Sequence, residues 1–194
     1  MLLLVAVACC WRPWLQRRRH GSWGIVLFQS SSVGQLVRDS MMAVLAVLLL
    51  GQALAAAFWP EALNLWDAAH SSAALQAAGP VLMLGGIGLL IAAQLDLGAS
   101  WRIGIEEGAS PGLVTGGLYR FCRNPIFLAL LLTVGGYALL LPTTLSLVLL
   151  AGLYIGVRQQ TLAEEAYLAR TYADAYRDYA RRVGRFLPGV GKLP

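Results

Sequence analysis

Long apolar runs alternate along this chain with short polar stretches. Met1–Cys10 is apolar and leads into WRPWLQRRRH. Met41–Trp59 is an uncharged run of nineteen residues. As a helix rising ~1.5 Å per residue it covers roughly 29 Å, close to the ~30 Å thickness of a bilayer's hydrocarbon core. Pro60 and Glu61 end it, and Ala73–Leu95 is the next run, carrying Pro80 and glycines 85, 86 and 88. Two shorter runs, Ile126–Leu141 and Thr144–Val157, meet at Pro142–Thr143 and predict a helical hairpin bent at the proline. From Arg158 the period changes. Leu162, Ala166, Ala169, Tyr172, Ala173, Tyr176, Tyr179 and Val183 form one stripe at helical spacing, which predicts an amphipathic helix. GRFLPGVGKLP closes the chain as an irregular tail.

This pattern predicts an all-α fold: a multi-pass transmembrane helical bundle of about five spans, including the hairpin, with a cytoplasmic amphipathic C-terminal helix. Residues 1–194 form a single domain, with N-terminal spans in 1–95 and a functional core in 96–190. The first span is short: Arg12 interrupts it and is expected to snorkel to the interface, where Trp11 and Trp14 suit the headgroup level. Segment 20–40, rich in Gly and Ser, reads as a cytoplasmic connection, with Gly24–Phe28 touching the membrane surface. The glycines of the third run, and Gly152 with Gly156, read as close-packing faces. No strand precedes them, so they do not make a phosphate loop.

Composition supports the membrane reading. The chain is 58% hydrophobic and only 13% charged, with a mean hydropathy of +0.63, whereas soluble domains are nearer a quarter charged. The net charge is +5. All fifteen Lys and Arg fall in 12–38, 102–123 and 158–192, with none in 60–72 or at the hairpin tip. If each apolar run crosses, they all lie on one side, as the positive-inside rule requires. The expected topology has the N-terminus outside and the C-terminus cytoplasmic. Orientation then explains the basic balance better than nucleic-acid binding. Cys9, Cys10 and Cys122, with His20 and His70, make neither a metal-ligand nor a disulfide pattern. No metal is expected.

The charged side collects Trp101, Arg102, Glu106, Glu107, Tyr119, Arg120, Arg123, Asn124, Glu164, Glu165 and the last arginines. The hairpin returns Arg123–Asn124–Pro125 and Glu164–Glu165 to one face. Arginine suits a carboxylate, and glutamate suits an ammonium or ribose hydroxyls. Tyrosines can stack on an adenine or hold a cation. This inventory fits a zwitterionic adenosyl cofactor such as S-adenosyl-L-methionine without selecting it. The plainer alternatives are Arg123 neutralising lipid headgroups and Glu164–Glu165 pairing with Arg158, Arg170 or a neighbouring loop.

LVTGGLYRFCRNP, an apolar hairpin, then AEEAYLARTYADAYRDYARRVGRFLP together resemble the isoprenylcysteine carboxyl methyltransferase and phospholipid methyltransferase group of membrane enzymes, over roughly 96–190. The family pattern falls on Leu113, Val114, Gly116 or Gly117, Tyr119, Arg120, Arg123, Asn124 and Pro125. It continues on Glu164, Glu165, Tyr172, Ala173, Tyr176, Tyr179, Arg185 and Pro188. The resemblance implies S-adenosyl-L-methionine as cofactor, with Tyr119, Arg123, Asn124, Pro125, Glu164 and Glu165 lining its pocket and Tyr176 and Tyr179 closing it. Arg182 or Arg185 would meet an acidic substrate, and a lipophilic or small methyl acceptor would arrive between spans near Ile126–Leu132. Two departures stand out: Asn124 takes the place of a usual His, and Ala173 that of a usual Gly. A carboxylate or thiolate acceptor needs no base, whereas an amine or hydroxyl does, and Glu165 is the candidate. The same C-terminal layout resembles membrane reductases of the sterol-reductase kind, which use NADPH. A non-catalytic membrane protein of this fold is the third reading. The expected setting is a bacterial inner membrane, with lipid as partner.

Overall fold

A computed structural model of the chain describes all residues except 30–31, 60, 62–72 and 107–111. The acid-bearing loop expected after Trp59, His70 and Glu107 lie outside the described residues. Among the described residues six α-helices make the framework: α1 (Leu2–Val5), α2 (Arg12–His20), α3 (Val33–Phe58), α4 (Ala73–Leu97), α5 (Pro125–Leu140) and α6 (Thr144–Arg182). A π-helical segment, Ala6–Trp11, joins α1 to α2, and 3₁₀ turns occupy Gly98–Ser100 and Gly117–Arg120. Among the described residues, three helical stretches, Val33–Phe58, Ala77–Ser100 and Thr144–Arg182, are long and apolar enough to cross a membrane, and Pro125–Leu140 is a shorter apolar helix. The all-helical membrane architecture read from the sequence is thus the one observed.

α4 and α5 form the tightest pair because glycine lets their backbones meet. A Cβ at Gly79 would lie 2.8 Å from the Gly136 carbonyl, and one at Gly136 would lie 2.7 Å from the Met83 nitrogen. Gly86 faces Thr133 and Ala129 in the same way, whereas Gly85 and Gly88 meet nothing nearby. So one glycine of the expected face packs. Gly152 and Gly156 sit against Leu45, Met41 and Met42 of α3. The main core joins Leu45 and Leu49 of α3 to Val134 and Tyr137 of α5 and to Leu149, Leu153 and Val157 of α6. Gln52 ties α3 to the hairpin tip through bonds of 2.8 Å to both the Thr143 and Ser146 hydroxyls. Thr143 also caps α6, its Oγ1 accepting from the Ser146 nitrogen.

Three elements differ from expectation. Arg12, expected to snorkel, is instead 2% exposed within the protein. It donates to the carbonyls of Gln94 (3.2 Å) and Gly98 (2.7 Å) and to Gln16, and stacks 4.6 Å from the Trp101 ring. A buried cation on carbonyls at the C-terminal end of α4 and in the turn that follows it is favourable, so Arg12 fastens the N-terminal helix. Helix α3 begins at Val33, inside the segment expected as a connection. Its extra turns hold Gln35 and Asp39 buried, on the Ile105 carbonyl and the Phe28 amide respectively. Finally, α6 runs on without interruption past Arg158 to Ala173, where φ 43° and ψ −117° break it. The amphipathic stripe is therefore two segments meeting at an angle: Leu162, Ala166 and Ala173 are exposed, while Tyr176, Tyr179 and Val183 are buried.

Candidate functional site

Everything around the expected site is held by Arg123. After the 3₁₀ turn, Cys122–Asn124 runs alongside the C-terminal segment: the Arg123 amide donates to the Gly184 carbonyl (2.9 Å) and the Asn124 amide to the Arg185 carbonyl (3.1 Å). Pro125 then starts α5, at a position where a missing N–H costs nothing. The Arg123 side chain, 6% exposed, turns inward. Its Nη1 donates to the carbonyls of Ala180 (2.9 Å) and Val183 (2.6 Å). Its Nη2 reaches Glu165 Oε1 (2.9 Å) and the Gly191 carbonyl (3.1 Å), and Nε reaches Glu165 Oε1 (3.2 Å). A guanidinium has five N–H donors, and all five are engaged. Arg123 therefore stitches three chain segments together and has no donor left for a bound carboxylate.

Glu165, on α6, is the other half of this clasp. Arg185 Nε and Nη2 meet its Oε2 at 3.2 and 2.8 Å, and Asn124 Nδ2 meets Oε1 at 3.3 Å. Burial raises the carboxyl's pKa, but the hydrogen bond from Arg185 and the charge of Arg123 outweigh it and hold the group below the usual carboxylate range. A carboxylate so matched is a poor proton acceptor, contrary to the base expected there.

Glu164 differs. It lies two turns beyond the apolar run that ends at Val157, outside the membrane-spanning part of α6. It is half-buried and takes a 2.9 Å bond from Gln160, which in turn accepts from Arg38 of α3 at 3.3 Å. Burial pushes its pKa up to about 7, against the pull of Gln160, Arg102 and Arg38. Near neutral pH it is thus the titrating member of the pair, with one oxygen outside the Gln160 bond.

The tyrosines close the same corner. Tyr179 donates to the Tyr119 carbonyl (2.6 Å) and packs edge-on against Tyr176 at 6.2 Å. Leu113 joins their cluster, and Tyr172 receives the Gly112 amide at 3.0 Å. Tyr176 is 1% exposed, and its hydroxyl has no hydrogen-bond partner among the described residues. Burial, with the charge of Glu165, pushes its pKa up to about 12. Tyr119 is raised too, chiefly by burial. Both remain neutral donors. Asn124 uses its amide nitrogen on Glu165 and the Arg185 carbonyl (3.2 Å), which leaves Oδ1 as the acceptor at this wall.

The structure thus unites Tyr119, Arg123, Asn124, Pro125, Glu165, Tyr176 and Tyr179, with Glu164 beside them. Arg182 stands apart: it is exposed and donates to the Asp178 carbonyl of its own helix. Arg185, the other arginine named for an acidic substrate, pairs with Glu165. Sequence reasoning missed the carbonyls that hold Arg123, and Gly184, where a Cβ would press on the Leu187 carbonyl and lie 2.7 Å from that of Val190. It also missed Asp96, which receives the Leu118 amide (2.7 Å) and abuts Gly117 at φ +56°. The double glycine of LVTGGLYR was the available signal for that turn. No group of His, Cys, Asp and Glu able to hold a metal occurs among the described residues.

Comparison with known proteins gives this corner a context. The profile of the family described as phospholipid methyltransferase matches residues 75–175, which take in α4, α5 and most of α6. No curated protein matches. Among solved structures, the eukaryotic intramembrane Ras methyltransferase ICMT (isoprenylcysteine carboxyl methyltransferase), determined without a monobody, superposes with a TM-score of 0.61 at 19% identity. The match covers 98% of this chain and 62% of that one, so this chain spans less than two thirds of that enzyme's length. At that identity the likeness is one of fold. Because the family profile takes in just over half of the sequence and the structure has the matching membrane fold, the chain belongs to the phospholipid methyltransferase family of integral membrane methyltransferases.

Proposed function

We propose that this protein transfers a methyl group from S-adenosyl-L-methionine to a lipophilic or small acceptor at the membrane threshold, on the cytoplasmic side. The observation that carries this reading is the division of labour between the adjacent glutamates. Glu165 is locked by two arginines, which fixes a rigid wall. Glu164 beside it is free to accept further bonds.

The residues fit such a cofactor. Glu164 and Asn124 Oδ1 are acceptors for an ammonium or ribose hydroxyls, and the Tyr176 hydroxyl is a donor without a hydrogen-bond partner among the described residues. Tyr119 and Tyr179 supply aromatic walls. When bound, the cofactor supplies an electrophilic methyl group. The chain's own contribution is to orient the partners and keep water away, since methyl transfer to an ionised nucleophile gains chiefly from proximity and desolvation. Arg123 acts as a positioning residue, because its donors are all engaged within the protein. An amine or hydroxyl acceptor would lose its proton to Glu164, whose pKa near neutrality suits a general base better than the clasped Glu165. The placement of all fifteen basic residues in three stretches, which share one side if each apolar run crosses, supports a cytoplasmic site with the N-terminus outside.

The experiment is methyl transfer from labelled S-adenosyl-L-methionine into a membrane lipid extract, with the product identified by mass. A labelled lipid formed by wild type and lost in Glu164→Ala is the expected result. Label transfer indifferent to Glu164 would overturn the residue assignment, and no transfer to any acceptor class would overturn the activity.

A further inference from the structure

The C-terminal turn lies against α6 and leaves a half-open cavity of about 290 Å³ between them. It is lined by exposed Tyr154, Arg158, Leu187 and Val190, half-buried Arg185 and buried Thr161. We propose that this cavity binds an acidic phospholipid of the surrounding bilayer, with the phosphate on Arg158, Arg185 and Thr161 and the first part of the acyl chain over Tyr154, Leu187 and Val190.

Three observations lead there. The Thr161 hydroxyl is fully buried, lines the cavity and has no hydrogen-bond partner among the described residues. Buried hydroxyls are nearly always paired, so an acceptor from outside the chain is the economical partner. Arg158 is exposed and makes no ion pair among the described residues, and Arg185 uses only Nε and Nη2 on Glu165. The single charge of Glu165 is shared between Arg123 and Arg185, so the cavity has surplus positive charge. Guanidinium groups recognise phosphate oxygens strongly.

The third observation concerns height. The cavity begins where the apolar run of α6 ends, at Val157–Arg158, and its mouth continues the exposed apolar face formed by Leu147, Val148, Tyr154 and Ile155. That is the depth at which a phospholipid presents its phosphate with its chains below, and a soluble anion would have no use for the apolar rim. The volume suits a phosphate and the first carbons, with the rest of the lipid lying along α6. This site makes no use of the methyl donor, so it stands or falls apart from the proposed reaction.

The test uses the full chain in nanodiscs of phosphatidylcholine, with and without phosphatidylglycerol. Lipid retained after release is read by native mass spectrometry, and stability by thermal melting. Wild type is expected to keep one phosphatidylglycerol in preference to phosphatidylcholine and to melt higher in its presence. Arg158→Gln, at an exposed position, is expected to weaken that retention about fivefold, the worth of roughly one arginine at an anionic lipid surface. It should abolish the melting increment without changing the melt in pure phosphatidylcholine. Thr161→Val, which keeps the side-chain shape, should also lower retention. Equal retention of the two lipids, or retention undiminished in both variants, would overturn the proposal. So would displacement of the lipid by millimolar inorganic phosphate, because the apolar rim would then contribute nothing.

Discussion

Replacing Arg123 with lysine isolates what the guanidinium does, because the charge stays and the geometry goes. Arginine here joins Glu165, the Ala180 and Val183 carbonyls and the Gly191 carbonyl at distances from 2.6 to 3.2 Å. A lysine ammonium has three donors at one point and cannot reach all three directions. The buried Val183 carbonyl would lose its partner, whereas that of Ala180 keeps the Leu193 amide and that of Gly191 lies at the surface. The loss at Val183 costs about 1–3 kcal/mol, and the Glu165 pair would weaken as well, so destabilisation of about 2–4 kcal/mol is expected. Against a total of about 5–15 kcal/mol for a typical domain, that is a large share. At roughly 2–4 °C per kcal/mol for a chain of this size, the melting temperature should fall by about 10 °C. The assay is thermal unfolding of the purified protein in mild detergent, paired with limited trypsin digestion of the segment near Arg181–Arg185. The clasp should open first, so the lysine variant should release its C-terminal residues well below its global melt. A variant that melts within about 2 °C of wild type and resists trypsin equally would refute the clasp.

Further outcomes follow from the same geometry. Ala173→Gly should stabilise the protein by about 1 kcal/mol, because an alanine at φ 43° and ψ −117° stores about 1–3 kcal/mol of strain and glycine returns roughly 1 kcal/mol of that as chain entropy. A lower melting temperature in the glycine variant would show that the bend is not strained. Gly184→Ala should unseat the tail, since the added Cβ meets two carbonyls; trypsin sensitivity near Arg185 reads this, and an unchanged digest would contradict it. The carboxyl of Glu164 has its pKa raised to about 7, above the ~4.3 of an unfolded glutamate. Its contribution to stability is therefore complete below about pH 4 and is lost as pH rises through 7, while its readiness to hold an ammonium or hydroxyl grows over the same range. Cofactor affinity should accordingly strengthen between about pH 6 and 7.5 in wild type and stay flat in Glu164→Gln. An identical pH profile in both would remove Glu164 from the site.

The apolar runs made α4, α5 and the first half of α6 legible, because a chain inside lipid must satisfy its backbone within helices and shows this as uninterrupted hydrophobicity. The ordered motif from Leu113 to Pro188 likewise marked the residues that the fold brings together in one corner. What stayed hidden depends on long-range partners. The first turns of α3 look like a connection because their polar residues, Gln35 and Asp39, are buried against loops distant in sequence. Arg12 looked like an interfacial residue until the carbonyls of Gln94 and Gly98 came to it from the end of α4. Ala173 gave no local sign of a break, since alanine is the strongest helix former; only the usual glycine of the family pattern pointed to one. Arg123 was recognised as important, but its role reversed. Spacing can bring an arginine to a site, but which acceptors fill its five donors is settled by the tertiary fold.

The central claim is that the corner built from Tyr119, Asn124, Glu164 and Tyr176 holds S-adenosyl-L-methionine against the wall formed by Arg123 and Glu165. Calorimetric titration of the purified protein with S-adenosyl-L-methionine, and separately with NADPH, tests it most directly. Saturable one-to-one binding of the methyl donor, no binding of NADPH, and at least a tenfold loss of affinity (~1.4 kcal/mol) in Glu164→Ala is the predicted result. Binding of NADPH in its place, or methyl-donor affinity unchanged by Glu164→Ala, would contradict it.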